Sequence, residues 1–281
     1  MLKQILAKPS PKESLLKKTD EKMEYSGQHV DILLRTCNRV DVASAPSTRR
    51  LLNKSKEEVL FRCLISLCRA IVYCQQQMPE CYLTLTVLDD HSDAQTVATI
   101  KQMLKGLPID TSFKSIHGTG NGESIKENYH YALEQCSGLI YFCEDDYLHA
   151  PNALVSMIKS YNKLSESLTD KIILHPYDCP DRYLNPLPHG QYPCEVYLGS
   201  DRHWRTVKHT TGTFLTHYAL LKRYWHHYIA FAQYGIDPDI SEDNTINLIY
   251  EEVPCLSPMP SLAVHLQYVS TLSPFVKWQK W

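Results

Sequence analysis

Strand-like and helix-like periodicities alternate four times between Val30 and Tyr147, and this alternation restricts the fold more than any other feature of the chain. Val30 to Arg35 reads as a strand. Lys56 to Gln76 carries Val59, Leu60, Cys63, Leu64, Leu67, Cys68 and Ile71 at spacings of three and four, the stripe of an amphipathic helix. Cys81 to Leu88, rich in Thr, Val and Leu, is a second strand. Thr96 to Leu104 is a second helix, closed by Gly106 and Pro108. Thr111 to His117 is a third, weaker strand, and Glu123 to Gln135 a third helix with Ile125, Tyr129, Ala132 and Leu133 on one face. A buried strand, Gly138 to Cys143, follows at once. Such an order predicts an α/β fold with a mostly parallel sheet and helices on both faces.

After Pro151 the pattern loosens. Asn152 to Leu164 predicts a helix, Lys171 to Pro176 a fifth strand, and His175 to Ser200 a long irregular segment bearing Pro176, Pro180, Pro186, Pro188 and Pro193. Val207 to Thr216 is strand-like, Tyr218 to Tyr234 an aromatic-rich helix, and Glu242 to Tyr250 a short helix. Residues 1–27 form a polar, Lys-bearing arm ahead of one domain, 28–281. Its Lys/Leu mix permits weak contact with an anionic membrane surface, against which Glu13, Asp20, Glu21 and Glu24 argue.

The strand that starts at Gly138 ends in three carboxylates, Glu144, Asp145 and Asp146. Like charges side by side raise each other's proton affinity, which costs free energy at neutral pH. A divalent cation removes that cost. If strand geometry persists, Glu144 and Asp146 share a face, and two hard oxygen ligands suit Mg²⁺ or Mn²⁺. For an acid triplet taken alone, a solvated acidic turn is the first explanation. Two further polar clusters follow strands: Thr36-Cys37-Asn38-Arg39 and Asp89-Asp90-His91-Ser92-Asp93. Ligands of parallel sheets bind at carboxyl ends of strands, so the three clusters would share one rim.

Bulk composition excludes several classes. A net charge of -2 over 281 residues gives no electrostatic reason to expect nucleic acid. Ten cysteines without a Cys-x-x-Cys pair disfavour a zinc ribbon or thioredoxin-type site. The start of the chain lacks the apolar core of a signal peptide, and no stretch is long enough to span a membrane. The expectation is reduced thiols in the cytoplasm.

On these residues the chain resembles the GT-A glycosyltransferases, in their family-2-like branch, from about Val30 to His265. Thr36, Asn38 and Arg39 resemble that family's "PT-x-N-R" segment, with Arg35 where proline is common. Leu88 to Asp93 resembles "V-D-D-G-S-x-D", with His91 in place of glycine. Gly120-Asn121-Gly122 through Asn128, then Ala132-Leu133, is similar to "N-x-G-x-x-x-A-R-N", with Lys126 beside a Glu127 that stands where arginine is frequent. Glu144-Asp145-Asp146 with Pro151 and Leu154 is similar to the "D-x-D" and "P-x-x-L" motifs, and Ser241-Glu242-Asp243 to the catalytic "E-D".

The resemblance implies a metal-dependent transfer of sugar from a nucleotide-diphosphate-sugar donor to a carbohydrate or other hydroxyl acceptor, with inversion. It divides the domain into a donor half, 28–150, and an acceptor half, 151–281. Asp146 would bind Mn²⁺ or Mg²⁺, with Glu144 direct or through water and His265 as a further ligand. Thr36, Arg39, Asp89, Asp90, Asp145 and Lys126 would meet the nucleotide sugar. Asp243 would be the general base, beside Glu242. Residue chemistry alone also offers plainer roles. Glu242 and Asp243 suit the first turn of a helix, the Asp89-Asp90 pair suits a turn, and a histidine in the apolar run Leu262 to Leu266 suits a core. Two rivals stand beside the transferase: a sugar-phosphate nucleotidylyltransferase, disfavoured because Thr36 to Ser47 has no glycine for a triphosphate loop, and a non-catalytic nucleotide- or sugar-binding protein on the same fold.

Overall fold

The computed structural model describes residues 28–39, 54–118, 120–168, 171–180, 183, 193–210, 212–234, 237–267, 272 and 275–281. The arm 1–27 and the middle of the proline-bearing segment lie outside the described residues. The first half follows the expected order: β1 (His29–Thr36), α1 (Lys56–Gln77), β2 (Tyr82–Asp90), α2 (Ala94–Leu104), β3 (Asp110–Ile116), α3 (Asn121–Gln135) and β4 (Leu139–Glu144). Then come β5 (Tyr147–His149), α4 (Ala153–Ser167), β6 (Ile173–Leu174), β7 (Val196–Leu198), β8 (His203–Thr206) and β9 (Phe214–His217). The chain continues with α5 (Tyr218–Arg223), α6 (Trp225–Phe231), a 3₁₀ helix (Ile246–Glu251), β10 (Cys255–Met259) and β11 (Ala263–His265).

One nine-stranded sheet runs in the order β3-β2-β1-β4-β9-β6-β10-β8-β7. β1 pairs in parallel with both β2 and β4, and β2 with β3. Only β9 and β8 run against the rest. The sheet is buried on both faces. Val30, Ile32, Leu34, Tyr141 and Cys143 pack with Leu60, Leu64, Ile100 and Leu154 of α1, α2 and α4. Leu33, Ile140 and Phe142 point the other way, to Ile125 and Tyr129 of α3, Leu221 of α5 and Tyr228 of α6. Period-two alternation sorts these side chains, and each full burial is worth about 1.5–3 kcal/mol.

α1 starts where its sequence dictates. Ser55 accepts from the Glu58 N–H at 3.2 Å, and Glu58 accepts in return from the Ser55 N–H at 3.2 Å. This reciprocal cap places Lys56 at the first helical position. Two later expectations are corrected. Val207 to Thr216 is not one strand: β8 ends at Thr206 and β9 begins at Phe214. Gly212 and Thr213 instead cover the end of β4, where the Thr213 hydroxyl accepts from the Glu144 N–H at 3.0 Å. Tyr218 to Tyr234 is not one helix either. It breaks at Tyr224, whose buried ring sends its hydroxyl to Glu252 at 2.8 Å.

A second ribbon decides the geometry of the site. β11 pairs antiparallel with β5, setting His265 opposite Tyr147 and Ala263 opposite His149. His149 is wholly buried. Its Nε2 lies 2.7 Å from the Tyr141 hydroxyl, and its backbone N–H donates to Ser66 Oγ. Burial lowers its imidazole to about 4. In the unfolded chain it titrates near 6.5, so this group's stabilisation is complete above about pH 6.5 and lost as pH falls through about 4. Stability of the wild type should therefore fall by roughly 3 kcal/mol more than that of His149→Phe across this window. Urea unfolding at a series of pH values measures the difference, and parallel curves would refute it.

Candidate active site

The chain lays down β1, β2 and β3 in one direction and then crosses to place β4 on the other side of β1. The strand order thus reverses between β1 and β4, and in open α/β sheets the ligand crevice lies outside the carboxyl ends at such a reversal. Arg35 and Glu144 are register partners there, as are Thr36 and Asp89 one strand away. The three predicted polar clusters do share this rim.

Each acid of the triplet has a cationic partner from a different part of the chain. Arg35, on β1, places Nη2 2.6 Å from Glu144 Oε1 and Nη1 2.7 Å from Asn121 Oδ1 at the start of α3. Lys56, the first residue of α1, makes a short ion pair with Asp145, whose second oxygen accepts from the Cys37 N–H at 2.9 Å. His265, carried in by β11, places Nε2 3.1 Å from Asp146 Oδ2. Its ring stacks on Tyr147 at 4.6 Å between centroids.

The strand ends at Glu144, and residues 145–146 form a turn. Strand alternation therefore does not carry Glu144 and Asp146 onto one face. Instead the turn sends Glu144 to Arg35, Asp145 to Lys56 and Asp146 to His265. Burial alone would lower the Lys56 ammonium, yet Asp145, Asp146 and Glu144 together push it above its ordinary value. Burial opposes ionisation of Asp146, but His265, Lys56 and Arg35 hold it well below the usual carboxylate range. The His265 imidazole is raised in turn: burial pulls it down and the Asp146 charge more than offsets this.

A divalent ion can be tested against these side chains. Among the described residues no three His, Cys, Asp or Glu side chains gather in a metal-holding group. Glu144 is committed to Arg35. Asp146 Oδ1, however, is buried without a hydrogen-bond partner, and the His265 nitrogen stands beside the other oxygen. One carboxylate and one imidazole fit a cation such as Mn²⁺, which completes its shell with water and phosphate oxygens.

The remaining predicted residues are placed as follows. Buried Asp89 accepts from the Thr36 hydroxyl at 2.7 Å and the Ser92 N–H at 3.1 Å. Asp90 lies 2.6 Å from His91 Nδ1 and accepts from the Gly118 N–H. His91, standing where the resembled motif has glycine, holds a left-handed φ of 65°. Arg39 is exposed at the end of the described loop, and Lys126 is half-buried on α3; among the described residues the ion-pair partners of the triplet are Arg35, Lys56 and His265 instead. Asp243 Oδ1 lies 3.0 Å from both His209 Nδ1 and Asn247 Nδ2, and its side chain is half exposed. Glu242 is half-buried ahead of the 3₁₀ helix, where its carbonyl accepts from the Asn247 N–H at 2.9 Å. The buried Tyr129 phenol is raised first by burial, then by Tyr228, and by both Glu144 and Glu242.

Sequence reasoning missed Arg35 and Lys56. The signals existed: Arg35 was the departure from an expected proline, and the Ser55-x-x-Glu58 cap sets Lys56 at the head of a helix that begins on this rim. A cleft of about 520 Å³, lined by Gln28, His29, Gly138, Leu139 and His217 among others, opens at the opposite ends of β1 and β4 and holds none of the predicted site residues.

No family model and no curated protein matches the chain. Solved structures do. A fragment of S. aureus TarS in complex with UDP is 14% identical over 73% of this chain and 55% of its own, with a TM-score of 0.45. The mannosyltransferase PcManGT from Pyrobaculum calidifontis, in complex with GDP-Man and Mn²⁺, is 14% identical over 79% of this chain and 51% of its own, at 0.42. UTP-bound UGPase from Acinetobacter baumannii is 8% identical over 85% of this chain and 88% of its own, at 0.45. The chain spans between 29% and 55% of the length of the TarS chains it matches. The α/β assignment stands on the strand order itself.

Lys56→Met leaves a buried Asp145 without its cation and should cost roughly 3 kcal/mol, whereas Lys56→Met with Asp145→Leu should recover most of it, because paired apolar side chains replace a buried ion pair at little cost. Urea denaturation of the two variants tests this. Equal losses in both would show that Asp145 is held by something other than Lys56.

Proposed function

We propose that this chain is a divalent-metal-dependent glycosyltransferase that moves a sugar from a nucleotide-diphosphate donor to an acceptor hydroxyl. The observation that carries the reading is Asp146: a carboxylate at the switch point with one buried, unpartnered oxygen and a histidine brought to its other oxygen from the far end of the sequence. Asp146 and His265 would hold the cation, whose positive charge would offset the negative charge that develops on the departing nucleoside diphosphate.

The other residues bind and orient. Asp145, through Lys56 and the Cys37 N–H, ties the loop after β1 to the turn after β4, and so sets the width of the crevice. Asp89 does the same between β1 and β2 through Thr36. Arg39 and Lys126, on either side of the crevice, would approach the nucleotide from solvent. Asp243, half exposed and oriented by Asn247 and His209, would take the proton of the acceptor hydroxyl, a role worth about 10²–10⁴-fold in rate. Direct attack opposite the leaving group inverts the anomeric centre. The half 151–281 would shape the acceptor side; its buried His175 and Tyr177 pack against Tyr147 and support His265 from behind.

The test is turnover of UDP- and GDP-sugars with Mn²⁺ and a panel of hydroxyl acceptors, read as release of nucleoside diphosphate. Asp146→Asn should abolish release and the metal-dependent thermal stabilisation by UDP or GDP. Asp243→Asn should lower release by about 100-fold or more while leaving that stabilisation intact. Release of pyrophosphate from UTP or GTP and a sugar phosphate would instead mark a nucleotidylyltransferase.

A further inference from the structure

We infer that Arg35 is a diphosphate ligand, and that Glu144 serves to aim it. The inference rests on the donor reading above and adds to it a residue that supplies positive charge from the chain itself. Arg35 is the next-to-last residue of β1, at the strand-order reversal where a nucleotide's phosphates would lie. The described rim is rich in acids: Asp89, Asp90, Glu144, Asp145 and Asp146 are all within it. A diphosphate approaching this surface meets repulsion unless a cation faces it. Lys56 and Arg35 are about equally buried, with 17% and 14% of their side chains exposed, but the Lys56 ammonium is taken up by Asp145. Arg35 has donors to spare. Among the described residues its contacts are Nη2 to Glu144, and Nη1 to Asn121 at 2.7 Å and Ser124 at 3.5 Å. A guanidinium carries five N–H groups in a planar fork that suits two oxygens of a phosphate at once. With Nη1 anchored to α3 and Nη2 to β4, the planar guanidinium is fixed, and its Nε–H and second Nη2 N–H are the groups that would meet a phosphate.

Glu144 is built as an anchor. Its N–H is bound by Thr213, and the Gly212 backbone lies so close that a Cβ there would fall 2.6–2.8 Å from the carboxylate atoms. Fold stability does not account for the arrangement, because a part-buried ion pair is seldom more stabilising than apolar side chains of the same volume. A fixed carboxylate behind a guanidinium does account for it, since a preoriented cation loses less freedom when the ligand arrives.

The reading predicts opposite effects for the two halves of the pair. With Mn²⁺ present, Arg35→Met should bind UDP or GDP roughly 10- to 100-fold more weakly and bind uridine or guanosine as the wild type does. Glu144→Gln keeps an acceptor for Arg35 but removes a negative charge facing the phosphates, and should bind the diphosphate as tightly or more tightly. Arg35→Met strands a part-buried carboxylate, so Arg35→Met with Glu144→Gln is measured beside it and should fold like the wild type and bind UDP or GDP as weakly as the single variant. Isothermal titration calorimetry supplies the constants, with circular dichroism to confirm folding. Undiminished diphosphate binding by the folded double variant would overturn the inference while leaving the donor site standing. So would equal weakening by Arg35→Met and Glu144→Gln, which marks a structural pair, or parallel loss of nucleoside binding. A folded wild type that binds neither UDP nor GDP would sink the donor reading, and this inference with it.

Discussion

β1 is hydrogen-bonded in parallel on both edges, and the register of its two ladders decides which rim residues can meet. In one ladder Thr36 stands opposite Asp89; in the other Arg35 stands opposite Glu144. A shift of one residue in either would reverse every side chain with respect to the sheet faces. It would bury Arg35 among the core of α1 or expose Leu34. The hydrophobic alternation of Ile32, Leu33 and Leu34 between two packed faces therefore fixes the polar chemistry at the strand end, although none of those side chains touches it.

Charge compensation follows from that register. Three adjacent carboxylates would repel one another strongly in a part-buried turn. Here the cations come from three directions: along β1, down from the head of α1, and across from β11. Among the described residues of the triplet, Asp146 is the one with a buried oxygen that has no hydrogen-bond partner. A cluster that looks uniformly acidic as a string of letters is thus three distinct sites in space, with different neighbours and different availability to a ligand.

The first half of the fold was legible because its helices and strands bury continuous faces, and burial leaves a period in the sequence. Lys56 to Gln77 shows it at helical spacing, and β2 shows it as a run of β-formers. Thr36, Asp89 and Glu144 were legible as rim residues because strand ends follow from strand positions. What could not be read was anything set by contacts distant along the chain. Val207 to Thr216 has the composition of one strand, but Thr213 and Gly212 are drawn onto the end of β4. Tyr218 to Tyr234 has helical composition, but Tyr224 turns to Glu252. The partners of Arg35 and Lys56 depend on register and on the cap at Ser55, which a search for acids passes over. His265 was named from the resemblance, and the sequence around it, Leu262 to Leu266, reads as core; its place beside Asp146 depends on the pairing of β11 with β5.

That last pairing orders events in time. Asp146 and His265 are separated by 119 positions. A ribosome adding about 5–20 residues per second takes roughly 6–24 seconds to pass from one to the other. Throughout that interval β1 to β4 can already be synthesised and paired, with Arg35 and Lys56 at hand, while Asp146 waits for its imidazole. The Asp146–His265 pair is therefore among the last features of the described domain to be assembled as the chain emerges. The scaffold of the crevice can exist before the chemistry it is proposed to support.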